Sequence, residues 1–397
     1  MEAALRFGRG LSKRTRPIGV CLVAVPLVLA LCTVSGMGSN KQSAVSPAPA
    51  RQGATPETAT RRRRASQTAA RARIESAAAT LSTAKDRGFL HQPERVILDK
   101  LINSPVVHIK DSPGGRSVAF RLKLADGTRA FYKPEQRFSA AQWYAEVVSF
   151  YLDRALGLNR VAPTVSRRLP WGKMSREAEK HPRKNEVVVA EDGTVKGALI
   201  WWLPKRLVPL ETPAGWENWV RIEPWPKWKV SPCQRPKEYV DALKKQRAAR
   251  GKSLALLYFQ APEPGRPERG AELSDMMVFD FLTLNLDRWG GDNCNVLLHG
   301  PGGPLIFLDN GAGFSEGPAR RNLMDERLRV VQRFRRSTVD ALQRFEIRKF
   351  KDVLKRDRLA PLLNESDLKG LEIRRRAVLK RVSDLKAQFG EEAVLPW

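Results

Sequence analysis

Residues 278–288, VFDFLTLNLDR, and residues 295–313, NVLLHGPGGPLIFLDNGAG, decide how this 397-residue chain is read. The first predicts a helix from Ser274 to Leu286 with Met277, Val278, Phe281 and Leu282 on a buried face. It delivers Asp287 at the helix exit, ahead of Gly290-Gly291. The second predicts a hairpin, with Asn295 to His299 as one arm, a turn at Gly300-Pro-Gly-Gly-Pro304, and Leu305 to Leu308 leading into Asp309-Asn310-Gly311. If His299 pairs with Leu305, Asn295 stands opposite Asp309, and directly opposed residues share one face with Cβ atoms ~4.5–5.5 Å apart. An amide oxygen and a carboxylate so placed are hard-oxygen ligands of the kind that Mg2+ or Mn2+ uses when bridging nucleotide phosphates. Asp287 then suits acceptance of a proton from an attacking hydroxyl. The same residues also suit a plainer part, capping turns and pairing Asp287 with Arg288, so the upstream sequence has to be weighed with them.

Upstream, Val118, Phe120, Leu122 and Leu124 alternate with Ala119, Arg121 and Lys123. Asp126-Gly127 supplies a tight-turn pair, and Thr128 to Lys133 completes a hairpin. Ser139 followed by Gln142 matches a capping box for a helix from Ala140 to Leu156, whose buried stripe is Trp143, Val147, Phe150 and Tyr151. Glu146 lies about 100° from Val147 on that helix and borders the stripe. A strand-borne Lys133 ahead of a helix-borne Glu146 is the order in which a lysine, oriented by a carboxylate, holds nucleotide phosphates. The run Ser112-Pro113-Gly114-Gly115-Arg116-Ser117 fits either a turn whose amides face phosphates or an ordinary turn. A second hairpin is expected from Glu186–Ala190, Asp192-Gly193 and Val195–Leu203. Trp216, Trp219, Trp225 and Trp228 suit local packing or contact with a sugar or acidic peptide. From Arg320 onward the pattern is basic amphipathic helix, with Val330, Val331, Phe334, Val339 and Leu342 as buried positions.

With 42% hydrophobic and 28% charged residues, the composition excludes a collagenous, polytopic membrane or wholly disordered chain. Seventy Lys+Arg against 42 Asp+Glu give a net charge of +28, which attracts polyanions without choosing among them. Residues 1–75 hold 13 basic and 3 acidic side chains, +10 of that charge, so the remainder carries +18 and is basic in its own right. Basic residues from Arg6 to Arg16 precede an apolar run from Ile18 to about Val34, which predicts an export leader over 1–38. A cleaved signal peptide and a type II membrane anchor both fit its length. Residues 39–85 predict a disordered basic stem. Cys233 and Cys294 fall beyond the leader, and both a disulfide and two buried thiols fit them.

These stretches resemble the secretory-pathway atypical kinase family of the four-jointed type. The resemblance is carried by LADGTRAFYKP (124–134), AEVVSFYLDRALGLNRVAPT (145–164), WWLP (201–204) and the two stretches quoted at the outset. It implies an α+β, two-lobed, atypical protein-kinase-like fold, with an antiparallel-sheet N-lobe over 86–208 and a mainly helical C-lobe over 209–397. It further implies Lys133 on the phosphates, Glu146 orienting it, Asp287 as catalytic aspartate and Asp309 as metal ligand, and Asn295 matches the family's asparagine ahead of the GPGG turn. Asn285-Leu286-Asp287 and Asp309-Asn310-Gly311 stand where ordinary protein kinases have His-Arg-Asp and Asp-Phe-Gly. The implied cofactors are ATP with Mg2+ or Mn2+. The implied acceptor is a Ser/Thr hydroxyl of a secreted or cell-surface, cadherin-like protein, reached in the Golgi lumen, outside the cell, or in the envelope of a bacterium. Nucleic acid is not expected as a partner. A xylose-type glycan or proteoglycan acceptor, and a catalytically weak pseudokinase that binds anionic glycans, are the alternatives.

Overall fold

In a computed structural model of the protein, the described residues are 88–112, 115–213, 215–225, 231–233, 266, 268–290 and 295–397. The leader, the stem, Gly114, Trp228, Cys294 and therefore the Cys233–Cys294 pairing lie outside them.

The Asp126-Gly127 pair turns the first hairpin as its chemistry dictates. Gly127 sits at φ 87°, in the left-handed region that glycine enters without a Cβ clash, and the Leu124 N–H donates to Thr128 O at 2.8 Å. Strands β2 (Phe120–Leu124) and β3 (Arg129–Pro134) run antiparallel from it, Phe120 against Tyr132 and Lys123 against Arg129. Phe120, Leu122 and Leu124 are buried, and the intervening Arg121 and Lys123 are not, the period-two signature of a half-covered sheet. Strand β1 (Val106–Asp111) pairs along β2.

Strands β4 (Thr164–Pro170) and β5 (Thr194–Trp201) extend this sheet in the order β1-β2-β3-β5-β4, every neighbour antiparallel. Here the sequence expectation is corrected. The Asp192-Gly193 turn forms, with the Gly193 N–H donating to Ala190 O at 2.9 Å, but Glu186–Ala190 is not a ladder arm. The partner of β5 is β4, from Pro170 against Thr194 to Thr164 against Ile200. Residues 187–190 instead pass by β3, where the Val188 N–H donates to Glu135 O.

Helix α1 (Glu94–Asn103) precedes the sheet, and α2 (Trp143–Ala155) and α3 (Trp171–Glu177) interrupt it. The Ser139–Gln142 capping box is a second correction. Helix α2 begins at Trp143, the Gln142 side chain reaches only Ser139 O at 3.4 Å, and the Gln142 N–H is taken by Gly311 O at 2.7 Å. A backbone group from the other lobe has replaced the local cap. Trp143 and residues 145–153 are all buried, as befits a helix enclosed between two lobes rather than one resting on a surface.

The second lobe holds α4 (Arg269–Thr283), buried at every residue, and a small antiparallel sheet of β6 (Leu207–Pro209), β7 (Val296–His299) and β8 (Leu305–Phe307). Helices α5 (Pro318–Val330), α6 (Arg336–Arg344), α7 (Ile347–Leu354), α8 (Glu365–Phe389) and α9 (Glu391–Val394) complete it. Val330, Val331, Phe334, Val339 and Leu342 are buried as the periodicity predicts. Trp216 and Trp225 are buried, and Trp216 stacks on Trp289 at 5.0 Å and 13°, so these tryptophans serve local packing. A buried carboxylate ties the lobes at one side, Asp357 accepting from Ser166 Oγ at 2.5 Å on β4 and from Tyr151 Oη at 3.1 Å on α2. The result is an α+β, two-lobed architecture.

Candidate active site

Strand β3 carries Lys133 into the cleft between the lobes, and α2 brings Glu146 beneath it. Lys133 Nζ lies 2.5 Å from Glu146 Oε1 and 2.6 Å from Asp309 Oδ1. Burial alone would lower the pKa of this ammonium, but the Asp309 and Glu146 carboxylates outweigh it and hold the pKa above that of an ordinary lysine. Lys133, opposed by desolvation, holds the Asp309 carboxyl below the usual carboxylate range. The Asp309 side chain is 46% exposed, so it faces an open cleft while gripping a buried lysine. Its backbone, at φ 55°, is left-handed, a conformation that Asp tolerates better than most residues.

Glu146 does more than pair with Lys133. The Gly311 N–H donates to the same Oε1 at 2.9 Å, so one carboxylate oxygen joins β3 to the segment following Asp309.

Asp287 arrives by a sharp exit from α4. Leu284 adopts φ 56°, and a 3-10 turn over Leu286–Trp289 follows, capped by Asn285 Oδ1, which accepts the Asp287 N–H at 3.1 Å. Asn285 Nδ2 donates to Asp309 O at 3.2 Å, and this buried amide thereby spaces the two aspartates. Asn295 Nδ2 donates to Asp287 O at 2.9 Å.

The hairpin register is a third correction. Val296 pairs with Phe307 and Leu298 with Leu305, because the turn is the four residues 300–303, closed by the His299 N–H on Pro304 O at 2.9 Å. This is one residue out of step with a His299–Leu305 pairing, and a one-residue slip exchanges the faces of the strand. In the observed register Leu308, not Asp309, is the position opposite Asn295. Arg288 Nη1 joins the two opposed positions, donating both to Asn295 O at 3.3 Å and to Leu308 O.

Arg288 is the functional residue that the sequence concealed. It is fully buried and pairs with Asp280, Nη2 to Oδ1 at 3.0 Å, rather than with adjacent Asp287. It also donates to Asn310 Oδ1 at 2.8 Å. Burial pushes the Asp280 carboxyl up, and Arg288 works against that shift. The second such residue is Arg116, from the turn that contains Gly115. Its Nη2 lies 3.2 Å from Asp287 Oδ1, so a guanidinium on the sequence just after Gly115 reaches the Asp287 carboxylate. The structure thus brings Lys133, Glu146 and Asp309 into direct contact, and joins Asp287 and Asn295 to them through Asn285 and Arg288.

The family model described as Fam20C, Golgi casein kinase, C-terminal, matches residues 178–394. The chain is 24% identical to the human extracellular serine/threonine protein kinase FAM20C over 358 residues, 77% of this chain and 56% of that one. It is 26% identical to the mouse pseudokinase FAM20A, covering 77% and 60%, and 26% identical to human four-jointed box protein 1, covering 58% and 48%. The chain thus spans about half to three-fifths of the length of these relatives. Among solved structures, the Golgi casein kinase with Mn/ADP bound superposes with a TM-score of 0.55 at 20% identity, covering 77% of this chain and 78% of that one. The hydra Fam20 with sugar gives 0.54 at 20% identity, covering 75% and 90%. These likenesses establish an atypical kinase fold, and with its family model matching more than half of its residues, the chain belongs to the Fam20 family.

Proposed function

We propose that this protein is an ATP-dependent phosphotransferase that moves the γ-phosphoryl group onto Ser/Thr hydroxyls of proteins in the secretory pathway or at the cell surface. The observation that carries the reading is Lys133 Nζ held between Glu146 at 2.5 Å and Asp309 at 2.6 Å, with Asp287 opening on the same cleft. A fixed positive charge beside a half-exposed carboxylate suits a polyphosphate, whose transfer depends on positioning and charge neutralisation.

In this reading Lys133 holds phosphate oxygens and Glu146 fixes the lysine, while the turn at Gly115 covers the nucleotide. The half-exposed Asp309 carboxylate offers Mg2+ or Mn2+ a hard oxygen, and such ions fill their remaining positions with phosphate oxygens and water. Among the described residues no group of three or more His, Cys, Asp or Glu gathers to form a dedicated metal cage. When bound, the cation neutralises charge on the phosphates. Asp287 takes the proton of the acceptor hydroxyl as its oxygen bonds to phosphorus and the bond from phosphorus to the ADP oxygen breaks. The solved relative with Mn/ADP bound supports this cofactor pair.

The export leader expected over 1–38, together with relatives named as extracellular and Golgi kinases, supports action in the Golgi lumen or outside the cell. A cadherin-like protein is the acceptor that the resemblance in the sequence implies. A sugar hydroxyl is the second reading, favoured by the hydra Fam20 structure solved with sugar. The test is phosphoryl transfer by the full chain with ATP and Mg2+ or Mn2+, to cadherin-domain proteins and to a xylose-containing linker glycan. Asp287→Ala and Asp309→Ala are each expected to lose on the order of 10²-fold or more. Equal, background-level turnover by all three proteins would overturn the reading in favour of a non-catalytic role, the part named for the pseudokinase FAM20A.

A further inference from the structure

Arg116 spans the mouth of the cleft. Its Nη2 meets Asp287 Oδ1 at 3.2 Å, a bond between residues 171 positions apart, and its guanidinium carbon lies 5.7 Å from the centre of the Phe138 ring. The side chain is 68% exposed. An exposed ion pair of this kind adds little to stability and is easily exchanged for another.

Two incompatible demands fall on this contact. A carboxylate that is to accept a hydroxyl proton has to present an oxygen to the incoming acceptor, and the Arg116 guanidinium competes for that approach. A nucleotide triphosphate entering beside Asp309 brings several anionic oxygens, and phosphate matches a guanidinium fork bidentately.

We propose that Arg116 is a nucleotide-sensing positioning residue: it occupies Asp287 in the free protein and transfers to the terminal phosphate when ATP binds, releasing the carboxylate for the acceptor. This rests on the phosphotransferase reading and adds to it an order of events, nucleotide first and acceptor second. It also gives the site a means of telling ATP from ADP, since only ATP carries the phosphate that draws Arg116 away.

The experiment uses the full chain with Mg2+, comparing wild type, Arg116→Ala, Arg116→Lys and Lys133→Ala by calorimetric titration with ATP and with ADP. Arg116→Ala is expected to weaken ATP binding about 10-fold and ADP binding about 3-fold or less, with partial recovery in Arg116→Lys. Steady-state kinetics of Arg116→Ala are expected to change from ordered to random addition of the two substrates. An unchanged ATP-to-ADP affinity ratio in Arg116→Ala, in a protein where Lys133→Ala loses ATP, would overturn this assignment alone. Unchanged ATP affinity in both variants would overturn the phosphotransferase reading with it.

Discussion

Gly290 and Asp287 share one space: a Cβ built on Gly290 would lie 2.5 Å from Asp287 Oδ1. The glycine makes room for the carboxylate, and a methyl group there forces it to turn. Gly290→Ala is expected to reduce kcat about 10- to 100-fold, the scale of a small misplacement at the reacting centre, while ATP affinity measured by titration stays within about 2-fold.

Glu146 carries a charge and a backbone bond that can be separated by mutation. Glu146→Gln retains an oxygen for the Gly311 N–H but loses the charge facing Lys133, whereas Glu146→Ala loses both. Both variants are expected to lower kcat/KM on the order of 10²-fold. Glu146→Ala is expected to be less stable than Glu146→Gln by about 1–2 kcal/mol in urea, the cost of stranding a buried N–H.

Arg288 offers a test of what assembles the loop around Asp287 and Asn295. Arg288→Met leaves the buried Asp280 carboxylate without its partner and is expected to cost about 3–5 kcal/mol. Adding Asp280→Leu is expected to restore only part of this, because the carbonyls of Asn295 and Leu308 remain without their donor. Full restoration in a denaturant melt would show that the ion pair, and not the carbonyl contacts, is what matters.

Asp153 links stability to pH. It is fully buried beside Arg154 and accepts the Arg160 N–H at 2.9 Å. Burial pushes its carboxyl up to about 6, from a value near 3.8 in the unfolded chain. Between those two values the folded form binds more protons than the unfolded form, so the contribution of Asp153 falls as pH rises from about 4 to 6. Asp153→Asn is expected to remove this decline, on the order of 2–3 kcal/mol. Denaturation midpoints of both proteins at pH 4, 5, 6 and 7 check it: the wild-type curve should descend relative to that of the variant.

The parts of the fold and site that were legible share a physical character, being set by a few consecutive residues. The Asp126-Gly127 hairpin, the placement of Lys133 on a strand and Glu146 on a helix, and the buried positions Met277, Val278, Phe281 and Leu282 of α4 follow from local turn chemistry and periodicity, although the tertiary fold buries the rest of α4 as well. Strand β4 was not legible, because Arg167-Arg168 and a flanking Pro170 obscure its alternation and only pairing with β5 makes it a strand. The α2 cap was misread because Gly311, far along the chain, supplies the acceptor that Ser139 was expected to provide. The β7–β8 register turned on a single residue in a turn with glycine at three positions, where no side chain marks the closing pair. Arg288 read as a neighbour of Asp287, yet the 3-10 turn sends consecutive side chains in different directions. Arg116 had no local signal at all, since its partner lies in the other lobe.

Both backbone polar groups of Gly311 are engaged from α2, the carbonyl by the Gln142 N–H and the N–H by Glu146. A single peptide segment is thus clamped at two points at the rear of the cleft, and swinging the helix outward would tear away the lysine's counter-charge in the same stroke. The frame is bolted where other designs would hinge. Movement is left to the front edge, where a solvent-washed arginine can step aside without disturbing the scaffold.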